Sequence, residues 1–147
     1  MDKLIRMQEL QQQGFHCSQI LLIMGLEAQG KEDPDLIRAM HGLAGGLGFS
    51  GETCGALTGG ACLLGLYAGK GLPEEAEDVE LQVMIAQLVD WFKAEYAQTY
   101  GSIACDDILE GTPRNKRIRC PAIVMNTHQQ LKEILVAHGF DLSGGER

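Results

Sequence analysis

The stretch GGLGFSGETCGALTGG, residues 45–60, decides the fold, because a glycine-rich turn leads there into a helix. Thr53 is the predicted N-cap and Cys54 the predicted first helical residue. Each glycine inside a helix costs about 1 kcal/mol relative to alanine, so a packing gain should offset that cost. Three glycines are expected to permit close approach of a backbone or a cofactor: Gly51, Gly55 and Gly59. The stretch therefore predicts a cysteine at a helix start, held against a close neighbour.

Apolar residues recur at helical spacing through the rest of the chain, and no segment shows the alternation of a strand. Gly14, the pair Asp33–Pro34 and Gly101 are typical signals for helix ends and starts. The predicted helices cover residues 2–13, 16–28, 34–44, 54–68, 74–99, 102–109 and 120–139. We expect one all-α domain over residues 1–147, a compact bundle of about six to seven helices with the glycine-rich turn at a cysteine site. Residues 143–147 are expected to be a disordered tail.

Charge and hydropathy exclude several classes of function. The chain of 147 residues has a formal net charge of −8, and the basic face that a nucleic-acid backbone requires is not expected. The sequence begins without a signal-peptide pattern, and no apolar run has the length of a membrane span. We therefore expect a cytoplasmic protein that is not membrane-embedded and does not bind nucleic acid.

The cysteines are distributed in a way that favours thiol chemistry or metal binding. Five are present, and no Cys-x-x-Cys pair occurs among them. Four lie at or within the first turn of a predicted helix: Cys17, Cys54, Cys105 and Cys120. Unpaired N–H groups at a helix start favour thiolate over thiol, which predicts a lowered pKa at each of the four. Cys62 lies in mid-helix and is interpreted as a packing residue.

Other polar residues contribute less to the predicted site. Arg117 and Arg119 precede Cys120 in a basic segment, and we expect them to stabilise negative charge near its sulfur. His16 is adjacent to Cys17 and could orient or deprotonate that thiol. Residues 46–51 match Gly-x-Gly-x-x-Gly, but no predicted strand precedes them, so a dinucleotide site is not expected.

Five segments together resemble a known family. They are Cys-Ser-Gln-Ile-Leu at residues 17–21, the glycines of 45–48, Gly-Glu-Thr-Cys-Gly-Ala-Leu-Thr-Gly at 51–59, Gly-Ser-Ile-Ala-Cys at 101–105, and Cys120. The chain is similar over about residues 15–135 to the redox-active proteins named for a C-GCAxxG-C-C pattern. The resemblance implies a small bacterial or archaeal protein of helical fold. It also implies that the same four cysteines form a redox site, with Cys62 outside it.

Three functions remain open from the sequence. In the first, the four cysteines bind an iron–sulfur cluster, most simply [2Fe–2S], for electron transfer or redox sensing. In the second, no metal is present, and Cys54 attacks to form a reversible disulfide with another of the four. In the third, the chain is a helical module for a redox or transport-associated partner, with structural or zinc-bound cysteines. The apolar segment 16–28 and the aromatic residues of 91–100 also suggest a homodimer.

Overall fold

The computed structural model describes residues 2–144 and consists of helices joined by tight turns. The helices are α1 (Lys3–Gln12), α2 (Cys17–Ala28), α3 (Pro34–His41), α4 (Gly55–Ala68), α5 (Glu80–Phe92), α6 (Gln98–Tyr100), α7 (Cys105–Leu109) and α8 (Asn115–Ala137). A π-helical turn, Lys93–Ala97, joins α5 to α6 without a break. Within residues 2–144 no strand forms, although Thr53 and Ala104 form an isolated antiparallel β-bridge. The predicted all-α fold is confirmed. The prediction for the tail lies partly outside the described residues, at 145–147.

The helices α2 and α4 form the centre of the bundle and approach each other closely. A Cβ atom built on Gly59 of α4 would lie 2.7 Å from Cα of Ser18 on α2. One built on Gly25 of α2 would lie 3.1 Å from the Leu63 side chain. The opposite side of α4 packs through Gly60 against Leu88 of α5 and Thr127 of α8. The glycines of α4 thus permit backbone contact, as the sequence predicted.

Two helix starts differ from the prediction. The α5 helix begins at Glu80 rather than at residue 74, with Val79 as its N-cap residue. The Asp78 carboxylate accepts the Glu80 N–H at 3.0 Å. The acidic residue Glu75 instead closes the preceding turn, where its carboxylate accepts the N–H groups of Gly71 and Leu72 at 2.7 Å each. The acidic residues that precede the apolar stripe of α5 therefore belong to a turn and not to the first turns of that helix.

The last helix begins earlier than predicted, at Asn115 instead of Cys120. Its first turn is held by the side chain of Asn115, which donates to the Leu109 carbonyl at 2.9 Å. Pro121 lies inside the helix, and Cys120 is in its second turn. The prediction that Cys120 occupies a helix start is therefore wrong, and the basic segment before it is helical.

The glycine-rich turn contains a short left-handed segment. Residues 45–49 all have positive φ, including the non-glycine residues Leu47 (67°) and Phe49 (62°). Hydrogen bonds hold the turn, among them Phe49 N–H to the Ala44 carbonyl (2.9 Å) and Gly51 N–H to the Gly45 carbonyl (3.1 Å). A left-handed conformation costs roughly 1–2 kcal/mol for each L-residue with a Cβ atom, so the surrounding contacts must hold Leu47 and Phe49 there.

The hydrophobic core runs along the inner faces of α2, α4, α5 and α8. Its largest fully buried side chains include Leu21, Leu64, Phe92 and Leu131. None of the helices within residues 2–144 is both long and apolar enough to cross a membrane.

Candidate functional site

A short antiparallel pairing brings Cys54 and Cys105 to the same side of the bundle. The Cys54 N–H donates to the Ile103 carbonyl at 2.9 Å, and the Cys105 N–H donates to the Glu52 carbonyl at 2.6 Å. Cys54 is the N-cap residue of α4 and Cys105 the first residue of α7. Thr53, which the sequence predicted as N-cap, forms the bridge with Ala104 instead. The pairing fixes two helix starts side by side.

Packing between α2 and α4 adds a third thiol. A Cβ atom built on Gly55 would lie 2.6 Å from Sγ of Cys17, so this sulfur lies over the first residue of α4. Helix α8 supplies Cys120 from its second turn. All four cysteines line one cavity of about 340 Å³, together with residues that include Phe49 and Lys116. We call this space the cysteine cavity.

The cavity raises the pKa of its thiols, and the sequence-based prediction of lowered values is wrong. Burial raises the pKa of Cys17, of Cys105 and of Cys54, which is 5% exposed. Burial, followed by the charges of Cys17 and Cys105, raises the pKa of Cys120 to about 12. The loss of hydration opposes the charged form more strongly than a helix start favours it. Without a bound cation, these cysteines are thiols at neutral pH.

Lys116 is the cation of the cysteine cavity. Its charge lowers the pKa of three cavity thiols, although less than burial raises it. The ammonium group donates to Nδ1 of His16 at 2.8 Å and lies 5.7 Å from the centre of the Phe49 ring. Burial, Lys116 and His41 lower the pKa of His16, so a neutral imidazole accepts this bond. Lys116 lies four residues before Cys120, so the two share one face of α8. A predicted helix that began before Lys116 would have indicated this arrangement from the sequence.

Phe49 was missed by the sequence analysis. Its side chain is 60% exposed at the cavity while its backbone is left-handed, and its ring meets His16 edge-on at 5.1 Å between centroids. An isolated aromatic residue in a glycine-rich turn has no periodic pattern that would have indicated this placement.

The two predicted arginines do not line the cysteine cavity. Arg119 pairs with Glu110 at 2.8 Å, donates to the Ile108 carbonyl and lies over the Tyr100 ring at 5.0 Å. Arg117 lines a neighbouring surface depression that also includes Cys17 and Cys120. Arg119 therefore connects α7 and α8 rather than facing a sulfur.

The predicted close-approach glycines have separate packing roles. Gly55 lines the cavity beneath Cys17, whereas Gly59 contacts the backbone of Ser18. Gly51 has a φ of 78°, and a Cβ there would overlap the Asp106 carboxylate. Of these three glycines, Gly55 lines the cavity, whereas Gly51 and Gly59 permit close packing of the segments around it.

The cysteines of the described residues are unpaired. All five cysteines are free thiols, and Cys62 is exposed on α4 away from the cavity lining. In residues 2–144, no three side chains of His, Cys, Asp or Glu are placed to hold one metal ion. The exposure of Cys62 also shows that it is not the buried packing residue expected from the sequence.

Fold and site together define a class, an all-α protein with four cysteines around one cavity. The family model described as "Putative redox-active protein (C_GCAxxG_C_C)" matches residues 15–134. The chain belongs to this family, which confirms the resemblance. Over residues 54–59 the chain has Cys-Gly-Ala-x-x-Gly, with cysteine before glycine, whereas the family name prints Gly-Cys-Ala-x-x-Gly. Comparison with curated proteins gave no match, and comparison with solved structures gave none either.

Proposed function

We propose that this protein transfers or senses electrons through an iron–sulfur cluster, most simply [2Fe–2S], bound in the cysteine cavity. The observation that carries the proposal is the convergence of Cys17, Cys54, Cys105 and Cys120 on one space of about 340 Å³. Four thiolates complete such a cluster. When bound, the cluster supplies one-electron chemistry at a potential that its surroundings set.

The charge balance of the cavity supports a bound cationic group. Cys54 is buried and the other three thiols are half-buried, and burial raises the pKa of each, so all four are neutral at physiological pH when no cation is bound. Metal binding provides positive charge and displaces the thiol protons. Lys116 then offsets part of the remaining negative charge at the cavity edge. Its bond to His16 holds the ammonium group in place.

The size of the cysteine cavity supports a cluster rather than a single zinc ion. A structural zinc site needs four ligands within about 2.0–2.3 Å of one centre. Among residues 2–144 no three candidate ligands approach that arrangement. A cluster that spans several atoms needs a wider donor set around a larger space, which the cysteine cavity provides.

The experiment is anaerobic reconstitution of the reduced protein with iron and sulfide, followed by visible absorption and measurement of iron and acid-labile sulfide. We expect a coloured protein, and we expect Cys54→Ser and Cys120→Ser to lose most of the colour. Cys62→Ser is the matched control, since its thiol is exposed and outside the cavity. Wild-type protein that remains colourless, or a colour that depends on Cys62, would contradict the proposal.

A metal-free disulfide is the second candidate, favoured by the position of Cys17. Its sulfur lies over Gly55, and its charge is the largest contribution after burial to the raised pKa of Cys54. Oxidation by glutathione disulfide would form one sulfur–sulfur bond in the protein and break the one in the oxidant, and the two electrons and two protons of the protein thiols would pass to two glutathione molecules. Loss of two titratable thiols in colourless protein, abolished by Cys54→Ser, would favour this candidate over the cluster.

The cellular setting stays a prediction. We propose a homodimer, a redox or transport-associated partner and a cytoplasmic location.

A further inference from the structure

A second cavity lies at the other end of the bundle from the cysteines. It opens to solvent, has a volume of about 350 Å³ and is lined by α1, α2, α4, α8 and Leu142. Helix α2 runs from Cys17 at one site to Ala28 at the other, a separation of about 16 Å at 1.5 Å per residue. We call it the lysine cavity, after Lys3 and Lys132 in its lining.

We propose that the lysine cavity binds a small amphipathic carboxylate, with its carboxylate between Lys3 and Lys132 and its apolar tail between α2, α4 and α8. The site is separate from the cysteine cavity, and the inference does not depend on a cluster being bound there.

The charges of the lining support an anionic head group. Lys3 from α1 and Lys132 from α8 are in contact, and within residues 2–144 neither forms an ion pair with a carboxylate. Arg6 and Glu27, which also line the cavity, pair with each other at 2.6 Å. Two adjacent ammonium groups therefore remain without a counter-ion in a chain of net charge −8. One carboxylate has enough lone pairs to accept from both.

His128 adds a neutral donor inside the same cavity. The ring is buried, with 8% exposure, and lies one helical turn before Lys132 on α8. Burial, then the charges of Lys3 and Lys132, lowers its pKa to about 4, so the imidazole is neutral at physiological pH. A neutral imidazole can donate one N–H to a carboxylate, and the group has no role in the cysteine cavity.

The remaining walls are apolar and set the size of the ligand. Met24, Leu63, Leu131 and Leu135 contribute side chains from three helices, and Tyr67 donates its hydroxyl to the Leu142 carbonyl at 2.6 Å. A space of about 350 Å³ corresponds to about ten water-sized groups. An eight-carbon acid, octanoate, has about that many non-hydrogen atoms and is the probe of choice.

The test is calorimetric titration of the reduced protein with octanoate, octanol and inorganic phosphate. Octanoate should bind more tightly than octanol, which lacks the charge, and than phosphate, which lacks the tail. The His128 ring resonances should shift in the NMR spectrum on octanoate binding. Equal binding of octanoate and octanol, or no octanoate binding at millimolar concentration, would overturn the proposal, and neither comparison requires a variant.

Variants then locate the head group. Lys132→Met should weaken octanoate binding by about tenfold or more, the usual loss for a charged hydrogen bond, while octanol binding is unchanged. Thermal stability should not fall, because the change removes a like-charge contact. The control is Lys70→Met, at an exposed position after α4 outside the cavity. An affinity for octanoate that is the same in both variants would contradict the assignment.

Discussion

Replacing Gly59 by alanine tests the close packing that positions Cys17 beside α4. The new Cβ would lie 2.7 Å from Cα and 3.0 Å from the carbonyl oxygen of Ser18, and backbone atoms cannot give way as a flexible side chain does. Overpacking of this kind costs typically 1–3 kcal/mol, and the better helix propensity of alanine returns about 1 kcal/mol. We expect Gly59→Ala to lower the free energy of unfolding by up to about 2 kcal/mol.

Gly65→Ala is the matched control in the same helix. No atom lies within 4 Å of a Cβ built on Gly65, so this variant should gain about 1 kcal/mol from helix propensity alone. Urea denaturation of the reduced proteins measures both changes, and the difference of about 1–3 kcal/mol isolates the contact with Ser18. A Gly59→Ala protein as stable as Gly65→Ala would refute the packing described for α2 and α4.

Four further predictions concern the turn, the interhelical arginine, the buried histidine and the exposed cysteine. Gly46→Ala, whose Cβ would overlap the Glu52 backbone, should lose about 3 kcal/mol, whereas Gly48→Ala, with open space around it, should lose about 1–2 kcal/mol by chemical denaturation. Arg119→Ala should lower stability by about 1–2 kcal/mol without altering the absorption of the reconstituted protein, and a changed spectrum would show that Arg119 acts on the cavity. The pKa of His128 is lowered to about 4 in the folded protein, so the unfolded state binds more protons between about pH 6.5 and pH 4. The free energy of unfolding should therefore fall by up to about 3 kcal/mol as the pH drops through that range. His128→Gln should lose that part of the pH dependence, and an unchanged profile would contradict the burial of the ring. In the metal-free reduced protein at pH 8, iodoacetamide should alkylate Cys62 first, because its thiol is exposed whereas those of the cavity are buried or half-buried, and a fast phase that survives Cys62→Ser would contradict that shielding.

Local patterns in the sequence predicted much of the helical framework. The apolar segment at 16–28 became α2, and Asp33 with Pro34 began α3 with a side-chain cap on Leu36 N–H. The glycines of α4 were also interpreted correctly as a packing surface, because their cost in a helix requires a compensating contact. Such signals depend on residues close in the chain, so one sequence is enough to find them.

Features that depend on distant contacts could not be predicted in the same way. The left-handed run at 45–49 includes Leu47 and Phe49, whose residue types disfavour that conformation. The raised thiol pKa values follow from burial in a cavity that four separate segments build. The early start of α8 depends on the bond from Asn115 to Leu109, which lies before the helix. That start in turn places Lys116 at the cavity.

The central claim is that the four cavity cysteines together hold one iron–sulfur cluster. Its most direct test is X-ray absorption at the iron edge of the anaerobically reconstituted Cys62→Ser protein, which keeps only the cavity thiols. We predict sulfur-only coordination of iron with a clear iron–iron scattering contribution. Iron bound by nitrogen or oxygen ligands, or isolated iron without that contribution, would contradict the account.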